Sequence, residues 1–214
     1  MPPGRCLPVG RVLVLLLGGA AALAPPPASR LRRWGSFFRT ERQVKVVNAP
    51  DAPLWSEAEP LKVLSWNVQY AADIRQHFFY DGGMAVSAPR TDVELTLRNL
   101  AQTIRDVDPD VVLLQEVDRG SRRTCHIDQH ARLLAATGYG CHTSAAYWRV
   151  PYVPHPKHEH VGKVNMHLST FSRFQLGGAT RVQLPLLDES RVRRLFNLKR
   201  AILDVSLQTA GGGQ

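Results

Sequence analysis

Two polar side chains stand where apolar runs end, and both could do chemistry. Glu116 closes the stretch Asp110-Val-Val-Leu-Leu-Gln-Glu116-Val-Asp118, and Asn67 closes Leu61-Lys-Val-Leu-Ser-Trp-Asn67. A carboxylate at the end of a buried strand faces a large desolvation cost unless a positive group meets it. A hard cation is the usual partner, because carboxylate oxygens suit Mg²⁺ or Ca²⁺. Taken alone, Leu-Leu-Gln-Glu also describes a strand running into a polar turn with Glu116 solvated. A carboxamide at the end of a second strand shifts the balance towards a site.

Further candidates flank this pair. Arg119, Arg122 and Arg123 follow Glu116 in a loop with Gly120, Ser121 and Thr124. Guanidinium groups bind phosphate oxygens in a bidentate manner, so this loop suits a phosphate ligand or a solvated surface. His155, His158 and His160 lie in a proline-stiffened loop whose spacing matches no usual zinc site. His155, with His167 further on, is therefore a substrate-contact candidate.

The elements that must position these residues follow from periodicity. Val111–Leu114 is an unbroken apolar run, long enough for one buried strand and short for a helix. Leu61–Val68 alternates as a strand. Between them Thr91-Asp-Val-Glu94 has the form of a capping box, and Val93, Leu97, Leu100 and Ile104 mark one helical face. Asp108-Pro109 stops that helix. Phe78, Phe79 and Tyr80 are expected to pack beneath a turn ending at Gly82-Gly83. Asp128–Thr137 reads as a helix with Ala131, Leu134 and Ala135 on one face and Gly138 past its end. Strands are expected over Tyr139–Trp148, Thr170–Phe174, Val182–Leu187 and Phe196–Leu207, with a bulge near Arg200–Ile202.

This strand–helix–strand order, with polar residues at both strand ends, resembles the endonuclease/exonuclease/phosphatase superfamily, also called DNase I-like. Ser65-Trp66-Asn67 matches its "xxWN" strand. Pro109-Asp110-Val-Val-Leu-Leu-Gln115-Glu116 matches "PDxxxLQE", and Ser169-Thr-Phe-Ser-Arg-Phe174 looks like its "LSRF" strand. The resemblance spans about Leu61 to Leu207. It implies an α/β (α+β) fold, a two-layer β-sandwich flanked by helices. It also implies a divalent-metal-dependent hydrolase of phosphodiesters or phosphomonoesters. Glu116 would be a metal ligand with Asn67 beside it, the cofactor Mg²⁺, with Mn²⁺ or Ca²⁺ as alternatives. The substrate would be a phosphate ester: nucleic acid, a phospholipid or sphingolipid headgroup, or an inositol phosphate.

The "THL", "GDFN" and "SDH" blocks of that family do not occur in this sequence. In the family they carry the aspartate that activates water, an asparagine that helps stabilise the transition state, and a histidine that contacts phosphate. The expectation is thus a partial domain, incomplete at its C-terminus, inactive or nearly so by itself, with an apolar sheet face exposed. A non-catalytic binding module on the same scaffold is the alternative.

Composition bounds the rest. The 214 residues suffice for one ordinary domain with a real core. The net charge of +9 is concentrated at the N-terminus, so the remaining chain is nearly balanced. That argues against a basic nucleic-acid-binding protein. Residues 1–27 read as a signal peptide or membrane anchor, with an apolar core shorter than the ~20 residues of a spanning helix. Residues 28–60 read as a basic then proline-rich linker, and 61–214 as the partial domain. Arg30, Arg32, Arg33, Arg39 and Arg42 could rest on an anionic membrane surface. Secretion, periplasmic export or membrane association is expected. Cys6 falls in the leader, leaving Cys125 and Cys141 as one available pair.

Overall fold

The computed structural model describes residues 11–14, 41–186, 188, 190 and 196–210 of the protein. The apolar run behind Glu116 becomes the buried centre of a sheet. Strand β5 (Val111–Asp118) is covered on both faces, with Val111, Val112 and Leu114 wholly buried. Burial on both sides is why the run does not alternate. The strand also runs through Gln115 and Glu116 instead of ending there.

Strand β4 (Val63–Asn67) lies parallel to β5, with Val63 opposite Val111 and Asn67 opposite Gln115. Strand β7 (Gly162–Ser172) pairs antiparallel on the other side of β5. Strands β6 (Cys141–Val153) and β3 (Val46–Val47) complete a five-stranded sheet ordered β3-β6-β7-β5-β4. A second sheet holds β1 (Arg11–Val14), β9 (Ala201–Leu207), β8 (Leu176–Gln183) and β2 (Glu41–Gln43), in that order. Strands β6 and β7 meet β8 and β9 across the interface, giving two stacked layers.

A parallel pair needs a crossover, and helix α1 (Arg90–Val107) supplies it. Val93, Leu97, Leu100 and Ile104 are all buried, as their spacing predicts. The helix ends at Asp108, which takes a left-handed conformation (φ 51°) before Pro109. Its start differs from expectation. Pro89 is the N-cap, no side chain caps the helix, and Thr91 lies inside the first turn. A preset φ of −56° at Pro89 already aims the chain into the helix. Glu94 pairs with Arg90 instead of turning back to a cap.

Helix α2 (Gln129–Thr137) is capped as expected: Asp128 accepts a hydrogen bond from Ala131 N, and Gly138 is left-handed. Its buried face is a correction. Gln129, His130 and Leu133 face inward, while Ala131 and Ala135 are exposed and Leu134 is half-buried. Two polar residues are buried because each has partners waiting, which an apolar count does not register.

Two other expectations shift. The strand expected at Val182–Leu187 is β8, ending at Gln183, and β9 begins at Ala201. The register break falls between Leu176 and Gly178 of β8, where two glycines admit the extra residue, and not near Arg200. Cys125 and Cys141 are both free. The Cys125 thiol faces the Ala88 carbonyl, whereas Cys141 is buried at the start of β6. Among the described residues, Val63, Ile74, Leu95, Tyr152 and Leu198 are large apolar residues left exposed.

Strand β1 falls within the segment expected to be a leader and pairs with β9. The rest of that segment, Cys6, and Arg30 to Arg39 lie outside the described residues; Arg42 lies exposed on β2. No helix among the described residues is long and apolar enough to cross a membrane.

Candidate active site

The β4–β5 register brings Asn67, at the end of β4, beside Glu116 within β5. Asn67 pairs with Gln115, so Glu116 is its diagonal neighbour. A β-bulge between Leu114 and Val117, with Glu116 at φ 60°, breaks the alternation there. Gln115 stays buried while Glu116 is half-exposed. Bulges re-aim side chains in this way beside functional sites. Asn67 Nδ2 donates to Glu116 Oε1 at 3.0 Å, and Asn67 Oδ1 accepts from Gln69 N at 2.9 Å. Asn67 thus holds Glu116 with its amide and holds the next turn with its oxygen.

That turn is strained. Gln69, Tyr70 and Ala71 have φ of 45°, 43° and 53°, three consecutive non-glycine residues in the left-handed region. Such conformations cost about 1 kcal/mol or more each and persist only when the surroundings impose them. Gln129 Nε2 donates to the Tyr70 carbonyl at 2.5 Å, and Gln129 Oε1 accepts from Asp118 N at 3.0 Å. One buried side chain of α2 therefore ties the strained turn to the far end of β5.

The turn and the bulge open onto a cleft of about 980 Å³. Asn67, Glu116, Tyr70, Phe79, Tyr147 and Trp148 are among its lining residues, with Arg123 and His155. Of the three aromatics expected beneath the loop, Phe78 is buried, but Phe79 and Tyr80 line the cleft. Gly83 makes this loop possible, since a Cβ there would lie 2.0 Å from the His77 carbonyl oxygen.

The sequence candidates divide here. Arg123 is buried beneath the cleft and forms a two-bond ion pair with Asp118 at 2.9 and 3.0 Å. Burial alone would lower its pKa, but the Asp118 carboxylate outweighs that and holds it above the ordinary value. His155 packs its ring edge on Phe79 at the rim. Arg119 lies outside the lining and pairs with Asp128. Arg122 is also outside, held by Glu159 and the His160 carbonyl. His167 Nε2 donates to Asn165 Oδ1 at 3.0 Å and its Nδ1 meets the Ser144 hydroxyl at 2.7 Å, away from the cleft. Burial, aided by Arg119, pushes the His167 pKa down to about 3. His158 and His160 turn to the Met84 carbonyl and the Tyr152 hydroxyl. No cluster of three or more His, Cys, Asp or Glu suited to a metal occurs among the described residues.

Sequence reasoning missed Tyr70, Tyr147 and Trp148 as lining residues and Asp118 as the partner of Arg123. Tyr70 lies three residues past Asn67, but nothing in its type announces a left-handed turn. For metal, Glu116 offers a half-exposed carboxylate backed by a carboxamide. That oxygen donor fits a hard ion such as Mg²⁺, which keeps several waters and uses one or two carboxylates.

The model of the Endonuclease/Exonuclease/phosphatase family matches residues 64–206. Among solved structures, the chain is similar to an endonuclease/exonuclease/phosphatase from Beutenbergia cavernae, at 29% identity and a TM-score of 0.43. The match covers 72% of this chain and 36% of that one, so this chain spans about a third of its length. No curated protein matches.

Proposed function

Since this chain belongs to the endonuclease/exonuclease/phosphatase family, we propose that its cleft binds a phosphate ester for divalent-metal-dependent hydrolysis. The observation that carries this reading is the 3.0 Å Asn67–Glu116 hydrogen bond at the mouth of the 980 Å³ cleft. Glu116 would hold Mg²⁺, with Mn²⁺ or Ca²⁺ as alternatives. Held by Glu116, such an ion would supply Lewis-acid polarisation of the phosphoryl group and charge stabilisation at the leaving oxygen. Asn67 fixes the Glu116 carboxylate, and Tyr70, Phe79, Tyr147 and Trp148 line the space beside it. The near-neutral lining, with Glu116 and Asp81 against Arg123 and Arg200, favours a compact ligand over a long polyanion.

The substrate is a nucleic acid, a phospholipid or sphingolipid headgroup, or an inositol phosphate. Export or membrane association through the N-terminal segment, with Arg30 to Arg42 on anionic headgroups, belongs to this proposal and rests on sequence alone. A non-catalytic binding module on the same scaffold is the second reading.

Titration calorimetry with Mg²⁺, followed by assays on plasmid DNA, sphingomyelin and inositol phosphates, separates the readings. Mg²⁺ binding with turnover supports the hydrolase. Mg²⁺ binding without turnover supports the binding module. No Mg²⁺ binding, and equal behaviour of wild type and Glu116→Gln, would sink both.

A further inference from the structure

Tyr70 is the least explained residue at the cleft. It is 2% exposed and lines the cleft, and its buried hydroxyl makes no full hydrogen bond, with the Gln69 side chain within weak reach only. Buried polar groups are nearly always paired, so an orphan at a site points to a missing ligand. Its position is not accidental. It is the middle of the three left-handed residues, and its carbonyl is gripped by Gln129.

The ring is held on several sides. The Arg123 guanidinium lies over one face at 3.7 Å, and Phe78 meets it edge-on at 5.1 Å. Arg123 is itself fixed by its ion pair with Asp118.

We propose that the Tyr70 hydroxyl donates a hydrogen bond to a phosphoryl oxygen of the ligand seated at Asn67 and Glu116. This rests on the phosphate-ester reading of the cleft. Burial raises the Tyr70 pKa, the Glu116 charge adds to that rise, and Arg123 opposes it. The phenol therefore stays protonated and available as a donor throughout the neutral range. The neighbouring guanidinium polarises it, which strengthens the donor.

The test uses the full chain with Mg²⁺ and inorganic phosphate, read by titration calorimetry. Tyr70→Phe is expected to bind phosphate about tenfold more weakly, a loss typical of one good hydrogen bond. Its melting temperature should be unchanged or higher, because an unpaired buried hydroxyl has been removed. Equal phosphate affinity in the two proteins would overturn the proposal, as would no phosphate binding by the wild type. A second readout needs no variant: phosphate added to the wild type should perturb the tyrosine ultraviolet spectrum, and an unchanged spectrum counts against the proposal. Turnover is measured separately. Absent Mg²⁺ binding with Tyr70-dependent phosphate binding defeats the metal-dependent hydrolase reading alone; turnover with phosphate affinity independent of Tyr70 defeats this inference alone.

Discussion

Arg123 and Asp118 face each other through two parallel hydrogen bonds while almost wholly removed from solvent, at 3% and 0% side-chain exposure. Asp118 also accepts from the Thr124 hydroxyl, and Arg123 lies over the Tyr70 ring. Removing one partner strands a buried charge, which costs far more than the pair contributes as a unit. Asp118→Asn is expected to destabilise the fold by about 3–5 kcal/mol. Combining it with Arg123→Met should recover much of that loss. Urea midpoints of the two single variants and the double variant give the coupling directly.

Glu116 and Asn67 should separate by role. Glu116→Gln keeps the shape and the hydrogen bond but loses the charge. It is expected to weaken Mg²⁺ binding strongly while leaving the urea midpoint close to wild type. Asn67→Ala frees Glu116 and unties Gln69 N, so it should cost about 10–100-fold in metal affinity, as other residues that orient a ligand do. Calorimetric titration of both variants checks this; a larger loss for Asn67→Ala than for Glu116→Gln would reverse the assigned roles.

Acid should unfold this protein through its buried histidines. Burial first, then the Arg119 charge, pushes both His130 and His167 down to about 3, against 6.5 in the open chain. Between those values the unfolded chain binds more protons than the folded one. Stability therefore falls as pH drops below 6.5, by up to about 1.4 kcal/mol per pH unit for each histidine, and is flat above it. His142, 3.1 Å from His130 Nε2, is lowered in the same direction. Urea midpoints across pH 4 to 8 measure the slope, and His130→Gln should flatten it.

Gln129 is the fourth test. Its amide satisfies the Tyr70 carbonyl and the Asp118 amide hydrogen, both buried. Gln129→Leu leaves two backbone groups unpaired at about 1–3 kcal/mol each. It also releases the left-handed turn, so ligand affinity should fall together with stability. A variant that melts early yet binds Mg²⁺ and phosphate as well as wild type would show that the turn does not need this tie.

The sequence by itself determined the β4–α1–β5 unit, the burial of Val93, Leu97, Leu100 and Ile104, and the stop at Asp108-Pro109. It also singled out Asn67 and Glu116. These depend on short-range periodicity and on local backbone limits, which are written in neighbouring residues. Tertiary structure decided what those signals could not reach. It chose Gln129 and His130 for the buried face of α2 over Ala131 and Ala135, because their partners lie far off in sequence at Tyr70, Asp118 and Ser169. It assigned Arg123 to Asp118 and Arg119 to Asp128, where the sequence offered three equivalent arginines. It also bent Gln69–Ala71 into a conformation that no side chain there prefers. Long-range hydrogen bonds and desolvation outweigh local preference at these points, and neither can be read from the order of residues alone.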